Sequence, residues 1–409
     1  MEERGSYKQL WDDLVAEKSM IFLSGPRQTG KTTFLKNIVG AQYINKTYFN
    51  WDIDDNKKVL IQNPYFFESM NLKDSTRPLV ILDEIHKYRH WKNYLKGVID
   101  KYGDQYVFAV LGSGRLDMNK RTGDALTGRF FEMHLFPFTL AELWANKTKL
   151  DDFLADPFHM PDGSNFDKTT ALWKQLSELS GFPEPFLSGK KTTWRRWSTA
   201  HASRIIRDDM RALEDLRKIE DIVTLFSLLP TRVASPLSMN NLAEELQVSS
   251  PSIKSWLGLF DHFYLTFRIS PWTKRISRAI LKEKKLYLFN YPLIMDPAVR
   301  FENMVALELY RAVRSWSEWG WGAFDLHYLR DKDKREVDFL ITNNHNPLML
   351  IEAKHTDTAP SESLLDFQAY LKIPAIQLVN TSTLTRKVMK NPHGKVGVFS
   401  ASSWLSMLP

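Results

Sequence analysis

Residues Gly25-Pro26-Arg27-Gln28-Thr29-Gly30-Lys31-Thr32 fit the pattern G-x-x-x-x-G-K-[ST] in full. No other feature of the chain restricts its fold as strongly. Glycines let a backbone wrap closely around phosphate with its N–H groups pointing inward, and a helix that starts behind the loop aims its N-terminus at the anion. The motif therefore needs a strand before it and a helix after it. Both flanks suit it: residues 18–24 (KSMIFLS) read as a short buried strand, and Thr32–Val39 follow as a helix. The candidate nucleotide ligands are Gly25, Pro26, Arg27, Gln28, Thr29, Gly30, Lys31, Thr32 and the adjoining Thr33. Lys31 is expected to reach the β- and γ-phosphates, and Thr32 to hold Mg²⁺ through its hydroxyl.

A second motif completes this expectation. Pro78-Leu-Val-Ile-Leu runs into Asp83-Glu84. A near-continuous apolar run suits a central parallel strand buried on both faces. Its end places Asp83 to hold Mg²⁺ and Glu84 to polarise an attacking water. Alone, the acidic pair would read as a solvated strand end; with the glycine loop it implies ATP and Mg²⁺ as cofactors. Val107–Leu111 is another buried strand, followed by Gly112-Ser113-Gly114-Arg115. Ser113 is a candidate γ-phosphate sensor, with ordinary turn chemistry as the alternative. Arg129, before the apolar stretch 130–138, is a candidate arginine finger in cis or in trans, or else a surface arginine.

The length of 409 residues exceeds one ordinary core, and the alternation of strands and helices over the first 145 residues argues for a parallel α/β domain. A helical extension over 146–235 and further segments over 236–298 and 299–409 follow. Cysteine is absent, which excludes disulfides and thiolate metal sites. No apolar run is long enough to span a bilayer, and Met1–Tyr7 lacks the apolar middle of a signal peptide. The expected location is cytoplasmic, without a membrane partner. The net charge of +7 is compatible with nucleic-acid binding but does not require it.

Residues 239–260 read as two short helices about a tight turn, with Ser250 as N-cap and Pro251 in the first helical position. Ile253, Trp256, Leu257 and Phe260 would face inward, and Ser252, Lys254 and Ser255 outward. That is the shape of a helix-turn-helix. Strands at 263–269 and 285–289 would form a wing, with Lys274, Arg275, Arg278, Lys282, Lys284 and Lys285 available to neutralise phosphates. DNA is the expected partner; packing against protein with a solvated basic loop is the alternative.

Near the end, Arg335-Glu-Val-Asp338-Phe-Leu-Ile and Met349-Leu-Ile-Glu352-Ala-Lys354 read as two strands. If they are adjacent, Asp338, Glu352 and Lys354 converge. Two carboxylates suit Mg²⁺, and Lys354 would position a water or stabilise developing charge. Glu302, in the helix-like run 300–311, would complete the site, with Gln368 on a later helix as a weaker candidate. Spacing alone equally describes charges alternating on an exposed strand face.

The ordered set GPRQTGKTT, VILDEIHKY, LGSGRL, LTGRFFEMHLFPFTLAEL, GFPEPFL, IIRDDM, RFEN, REVDFLI and LIEAK resembles the prokaryotic AAA-type ATPases that carry a C-terminal domain of unknown function, number 4143. The resemblance covers nearly the whole chain. It implies a P-loop AAA-type ATPase core (1–145) with a helical extension (146–235), a winged-helix region (236–298) and a C-terminal α/β domain (299–409) like the PD-(D/E)XK nucleases. A homo-oligomer is the arrangement in which Arg129 would act in trans. Two departures stand out: Asn290-Tyr291-Pro292-Leu293 replaces a commoner Asp-x-Gly-Leu turn, and Gly114 replaces a second serine.

Overall fold

The computed structural model describes residues 4–112, 114, 126–160, 166–210, 218–274, 283–383 and 385–409. The chain divides into two compact units, Met1–Phe136 and Pro137–Pro409. Ser113, Arg115, Arg275, Arg278 and Lys282 lie outside the described residues.

In the first unit the apolar runs become strands. They are β1 (Met20–Ser24), β2 (Lys46–Asn50), β3 (Leu79–Asp83), β4 (Val107–Leu111) and β5 (Phe131–His134). They form one sheet in the order β2-β3-β4-β1-β5, parallel throughout. Every residue of β1, β3 and β4 is buried, which is why these three strands show no alternation in sequence. Phe22, Val80, Leu82, Phe108 and Val110 share one core with Leu95 and Val98 of the helix Trp91–Tyr102. All strands end at one edge of the sheet, where open α/β sheets bind ligands. β5 was hidden in sequence inside the longer apolar stretch 130–138.

The second unit opens with helices, among them Phe166–Leu179, Lys191–Arg204 and Ile219–Leu228. Met239–Glu245 and Ser250–His262 then form the expected helix pair. The N-cap differs from expectation. Ser249, not Ser250, caps the second helix, its hydroxyl accepting from the Ser252 N–H at 3.2 Å. Ser250 is already helical, so Pro251 follows one position later and its missing N–H still falls in the first turn. Ile253, Trp256, Leu257 and Phe260 are buried, while Lys254 and Ser255 are exposed.

The remaining strands are β6 (Thr266–Pro271), β7 (Lys285–Leu288), β8 (Phe324–Arg330), β9 (Glu336–Asn343), β10 (Asn346–Lys354), β11 (Ala375–Val379), β12 (Arg386–Asn391) and β13 (Gly394–Ser400). They form one mixed sheet, β12-β13-β11-β10-β9-β8-β6-β7. β6 and β7 pair with each other as a wing would, but β6 also runs alongside β8 through Ser270 and Pro271. β6 and β7 are thereby part of the C-terminal sheet. The long helix Pro297–Glu318, capped by Asp296, packs across β7, β8, β9 and β10. Its buried Asn303 accepts the Leu288 N–H at 2.7 Å and donates to the Leu288 carbonyl at 2.8 Å. The backbone groups at the edge of β7 are satisfied in this way.

Asn290, where the family turn departs, is buried. It accepts from Trp194 Nε1 at 3.1 Å and donates to Ser198 at 2.7 Å. The asparagine thus ties the turn to the helix Lys191–Arg204. Among the described residues, no helix is long and apolar enough to cross a membrane.

Candidate functional sites

The glycine loop leaves β1 at the ligand-facing edge of its sheet. Gly25 has φ +142°, and a Cβ there would lie 2.3 Å from the Leu135 carbonyl oxygen, so only glycine passes the backbone just after β5 this closely. Gln28 (φ 64°) and Gly30 (φ 87°) complete the wrap. Thr29, fully buried, donates to the Pro26 carbonyl at 2.9 Å and closes the loop on itself. Pro26 is buried, Arg27 is half-buried, and Gln28 and Thr33 are exposed. The helix begins at Lys31, widens to π-helical turns over Phe34–Ile38 and tightens over Val39–Gln42.

Lys31 is buried, with Nζ donating to the carbonyls of Gly25 (2.9 Å) and Pro26 (2.8 Å). Burial lowers its pKa to about 8, against the attraction of Glu84 and Asp83. Thr32 donates to Asp83 Oδ2 at 2.9 Å, and the Tyr48 hydroxyl donates to the same oxygen at 2.9 Å. Burial pushes the Asp83 carboxyl up, and these two hydrogen bonds oppose it. The Thr32 hydroxyl and the Asp83 carboxylate are hard oxygen donors brought together, a set that suits Mg²⁺. Glu84 stands just past β3 with φ 54°, a sparsely populated conformation for a non-glycine residue. Its carboxylate lies 3.2 Å from Lys87 and 3.6 Å from His86. Lys87 also pairs with Asp52 at 2.7 Å, which gives the acidic cluster after β2 a place at this site.

Two contributors were not apparent from sequence. Tyr48 alternates on β2 like any strand residue, and only the pairing of β2 with β3 reveals its contact with Asp83. Arg4 is buried and bridges the carbonyls of Thr29 (3.0 Å) and Phe136 (2.8 Å), bracing the loop from beneath.

Arg129 does not join this site within one chain. It precedes β5, at the edge where the parallel strands begin, whereas the loop follows the edge where they end. Four residues of strand at about 3.3 Å each separate the two edges. Arg129 instead holds Asp100 on the helix Trp91–Tyr102, Nε to Oδ1 at 2.7 Å. The expected role in cis is corrected accordingly.

In the second unit β9 and β10 are antiparallel neighbours, so Asp338, Glu352 and Lys354 converge. Asp338 Oδ2 accepts the Ala353 N–H at 3.0 Å. Lys354, half-buried, pairs with Glu352 at 2.7 Å. Ser361 donates to Glu352 Oε1 at 3.4 Å, and Gln377 holds the preceding loop through the carbonyls of Asp357 and Ala359. Glu302 joins from the long helix, accepting from the Tyr287 hydroxyl at 2.9 Å. Burial first, and then Asp338, push both Glu302 and Glu352 above the usual carboxylate range.

Two expectations fail here. Lys285 is not a loop cation facing phosphate. It starts β7 with its side chain 1% exposed, and its ammonium lies 2.6 Å from Glu336, 3.2 Å from Glu302 and 3.3 Å from Asp338. Gln368 does not reach this site either. It is buried on the helix Glu362–Leu371, accepting from Asn391 at 2.7 Å and donating to the Lys395 carbonyl at 3.2 Å, where it ties the helix to β12 and β13. Of the other expected basic residues, Lys274 is exposed and lies over the Tyr370 ring, and Lys284 is half-buried.

Residues 17–144 match the family described as an AAA domain. Residues 170–295 match a domain of unknown function numbered 8612, and residues 300–393 one numbered 4143. No curated protein matches the chain by sequence. Solved structures similar to it include the Walker-type ATPase of Pyrococcus abyssi, at 12% identity over 72% of this chain and 95% of that one, with a TM-score of 0.45. Another is the Hsp104–ADP complex of S. cerevisiae, at 15% identity over 64% of this chain and 39% of that one, TM-score 0.30. A third is Drosophila ORC bound to DNA, at 13% identity over 68% of this chain and 89% of that one, TM-score 0.26. The chain therefore joins an AAA-type ATPase domain to a C-terminal domain of unknown function 4143, the combination its motifs resemble.

Proposed function

We propose that the protein hydrolyses ATP with Mg²⁺ at the Gly25–Thr32 loop and uses that cycle to control its hold on DNA. The observation that carries the hydrolytic part is the meeting of Thr32 with Asp83 at 2.9 Å, one residue from Glu84. Bound Mg²⁺ would neutralise charge on the β- and γ-phosphates. Lys31 would exchange its loop carbonyls for those phosphates, and Glu84 would leave Lys87 and His86 to polarise the attacking water. The DNA part rests on the exposed outer face of the helix Ser250–His262 and on the net positive charge.

The C-terminal domain has two readings. Convergence of Asp338, Glu352 and Lys354 favours metal-dependent cleavage. Lys285, lodged among Glu302, Glu336 and Asp338, favours a nuclease-like domain that holds DNA or a partner without cutting. The second accounts for more of the geometry. Labelled single- and double-stranded DNA, offered with Mg²⁺ or Mn²⁺ and with or without ATP, tests both. The expected result is salt-sensitive, nucleotide-dependent binding with intact DNA. Metal-dependent cleavage by the wild type that disappears in Asp338→Ala would restore the nuclease reading. Failure to bind DNA in every nucleotide state would remove DNA from the account.

Arg129 is proposed to act in trans, because its own loop is out of reach. ATPase activity per chain should then rise with protein concentration, and mixing Arg129→Ala with Lys31→Ala chains should restore part of the activity. Hydrolysis independent of concentration, with no rescue on mixing, would leave Arg129 as the structural partner of Asp100.

A further inference from the structure

We propose that the C-terminal carboxylate cluster is filled from within. The ammonium of Lys285 occupies the place of a divalent cation among Glu302, Glu336 and Asp338, so the domain keeps no resident metal, and removing the lysine creates a metal site. The inference rests on the reading of this domain as one that does not cut, but it concerns metal uptake, which is measured separately.

Each N–H of an ammonium can serve one acceptor. Lys285 has three carboxylate partners, from the long helix and from two positions of β9, at 2.6 to 3.3 Å. Its side chain is 1% exposed, so it is a fixed part of the core and not a surface lysine visiting the site. Burial works against its charge, and the three carboxylates within 3.3 Å oppose that effect. A divalent ion among the same oxygens would meet a like charge a few ångströms away.

Other donors reach these carboxylates as well. Asp338 Oδ2 takes the Ala353 N–H, Glu302 Oε1 takes the Tyr287 hydroxyl, and Glu352 is paired with Lys354. Among the described residues, no group of three or more acidic or histidine side chains is arranged to hold a metal ion. The three carboxylates are arranged around an ammonium, and the cation they hold is a side chain.

The test is Mn²⁺ binding to the full-length, nucleotide-free protein, read from the paramagnetic resonance of free Mn²⁺. Wild type should bind no Mn²⁺ that depends on Asp338. Lys285→Met, of similar length and uncharged, should bind one ion at least about tenfold more tightly than wild type, and Lys285→Met with Asp338→Asn should lose that gain. Breaking a buried ion pair can prevent folding, so thermal melts with and without Mn²⁺ accompany the titration. A variant that folds only with metal, or melts higher with it, supports the proposal through linkage. If the variant never folds, the wild-type and Asp338→Asn titrations decide, and equal uptake by the two supports it. Asp338-dependent Mn²⁺ uptake by the wild type overturns it, as does a folded Lys285→Met chain that takes up none. Neither outcome depends on DNA cleavage or ATP hydrolysis.

Discussion

Lys31→Ala is expected to abolish tight ATP binding. The Lys31 ammonium is the motif's own side-chain cation for the phosphates, and hydrogen bonds to charged groups contribute about 1.5–3 kcal/mol each. Losing two of them weakens binding by two or more orders of magnitude. The stability of the nucleotide-free protein should respond to this charge in a pH-dependent way. Folding lowers the Lys31 pKa from 10.5 to about 8, mainly through burial. Below pH 8 the folded protein therefore carries a penalty on the order of 3 kcal/mol for keeping this amine charged. Between pH 8 and 10.5 the unfolded state binds more protons, so this contribution to stability rises with pH and the penalty fades. Lys31→Met removes the charge and keeps most of the length. Its lost hydrogen bonds to Gly25 and Pro26 cost about 1.5–3 kcal/mol each at every pH and offset the gain, so the stability of the variant relative to wild type should fall by about 3 kcal/mol between pH 7 and pH 10.5. Urea unfolding of both proteins at pH 7 and pH 10.5, beside nucleotide titrations, reads these effects. A stability difference between the two proteins that does not change with pH, or a variant that still binds ATP tightly, would contradict this account of the buried amine. Phosphates restore the proton on Lys31, so ATP affinity in the wild type should fall as pH rises above about 8.

Glu84→Gln should separate hydrolysis from binding. The substitution keeps the shape of the side chain at an unusual backbone conformation but removes the carboxylate that would polarise water. Loss of a general base typically lowers turnover by about 10²- to 10⁴-fold. Nucleotide affinity should stay within about threefold, because Lys31, Thr32 and the loop N–H groups remain. The variant also leaves Lys87 with Asp52 as its remaining carboxylate partner, a pair already formed at 2.7 Å. Single-turnover hydrolysis measured beside nucleotide dissociation constants distinguishes the two effects. An equal loss of affinity would mean that Glu84 shapes the pocket and does not act on water.

The glycine loop and its helix were legible because all of their determinants lie within one short run of sequence. The buried strands β1, β3 and β4 were legible because burial on both faces demands continuous apolar residues. The helix pair at 239–262 announced itself through period and turn, with only the cap displaced by one residue. β8 and β11–β13 were missed. Parts of them, such as the exposed edge strand β12, carry little apolar signal, and strand pairing supplies the rest. For Arg129, the choice between cis and trans was not legible for a related reason. Its proximity in sequence to the nucleotide domain says nothing about which edge of a parallel sheet it occupies, and that is set by strand direction.

The sequence by itself determined that this chain carries a phosphate-loop motif between a buried strand and a helix, and that an acidic pair ends another buried strand. Both follow from local backbone geometry and local patterning. It also marked Glu302, Asp338, Glu352 and Lys354 as chemically suited to one another. Only the tertiary structure decided what stands among the carboxylates. Lys285 ends a charged run and opens the strand-like stretch 285–289, and nothing in that local context places its own side chain among carboxylates. Pairing of β7 with β6, the seating of the long helix against β7, and the position of β9 bring its ammonium to Glu302, Glu336 and Asp338. A buried charge is tolerable only where opposite charges meet it, and those charges come from residues that pattern alone could not place beside it.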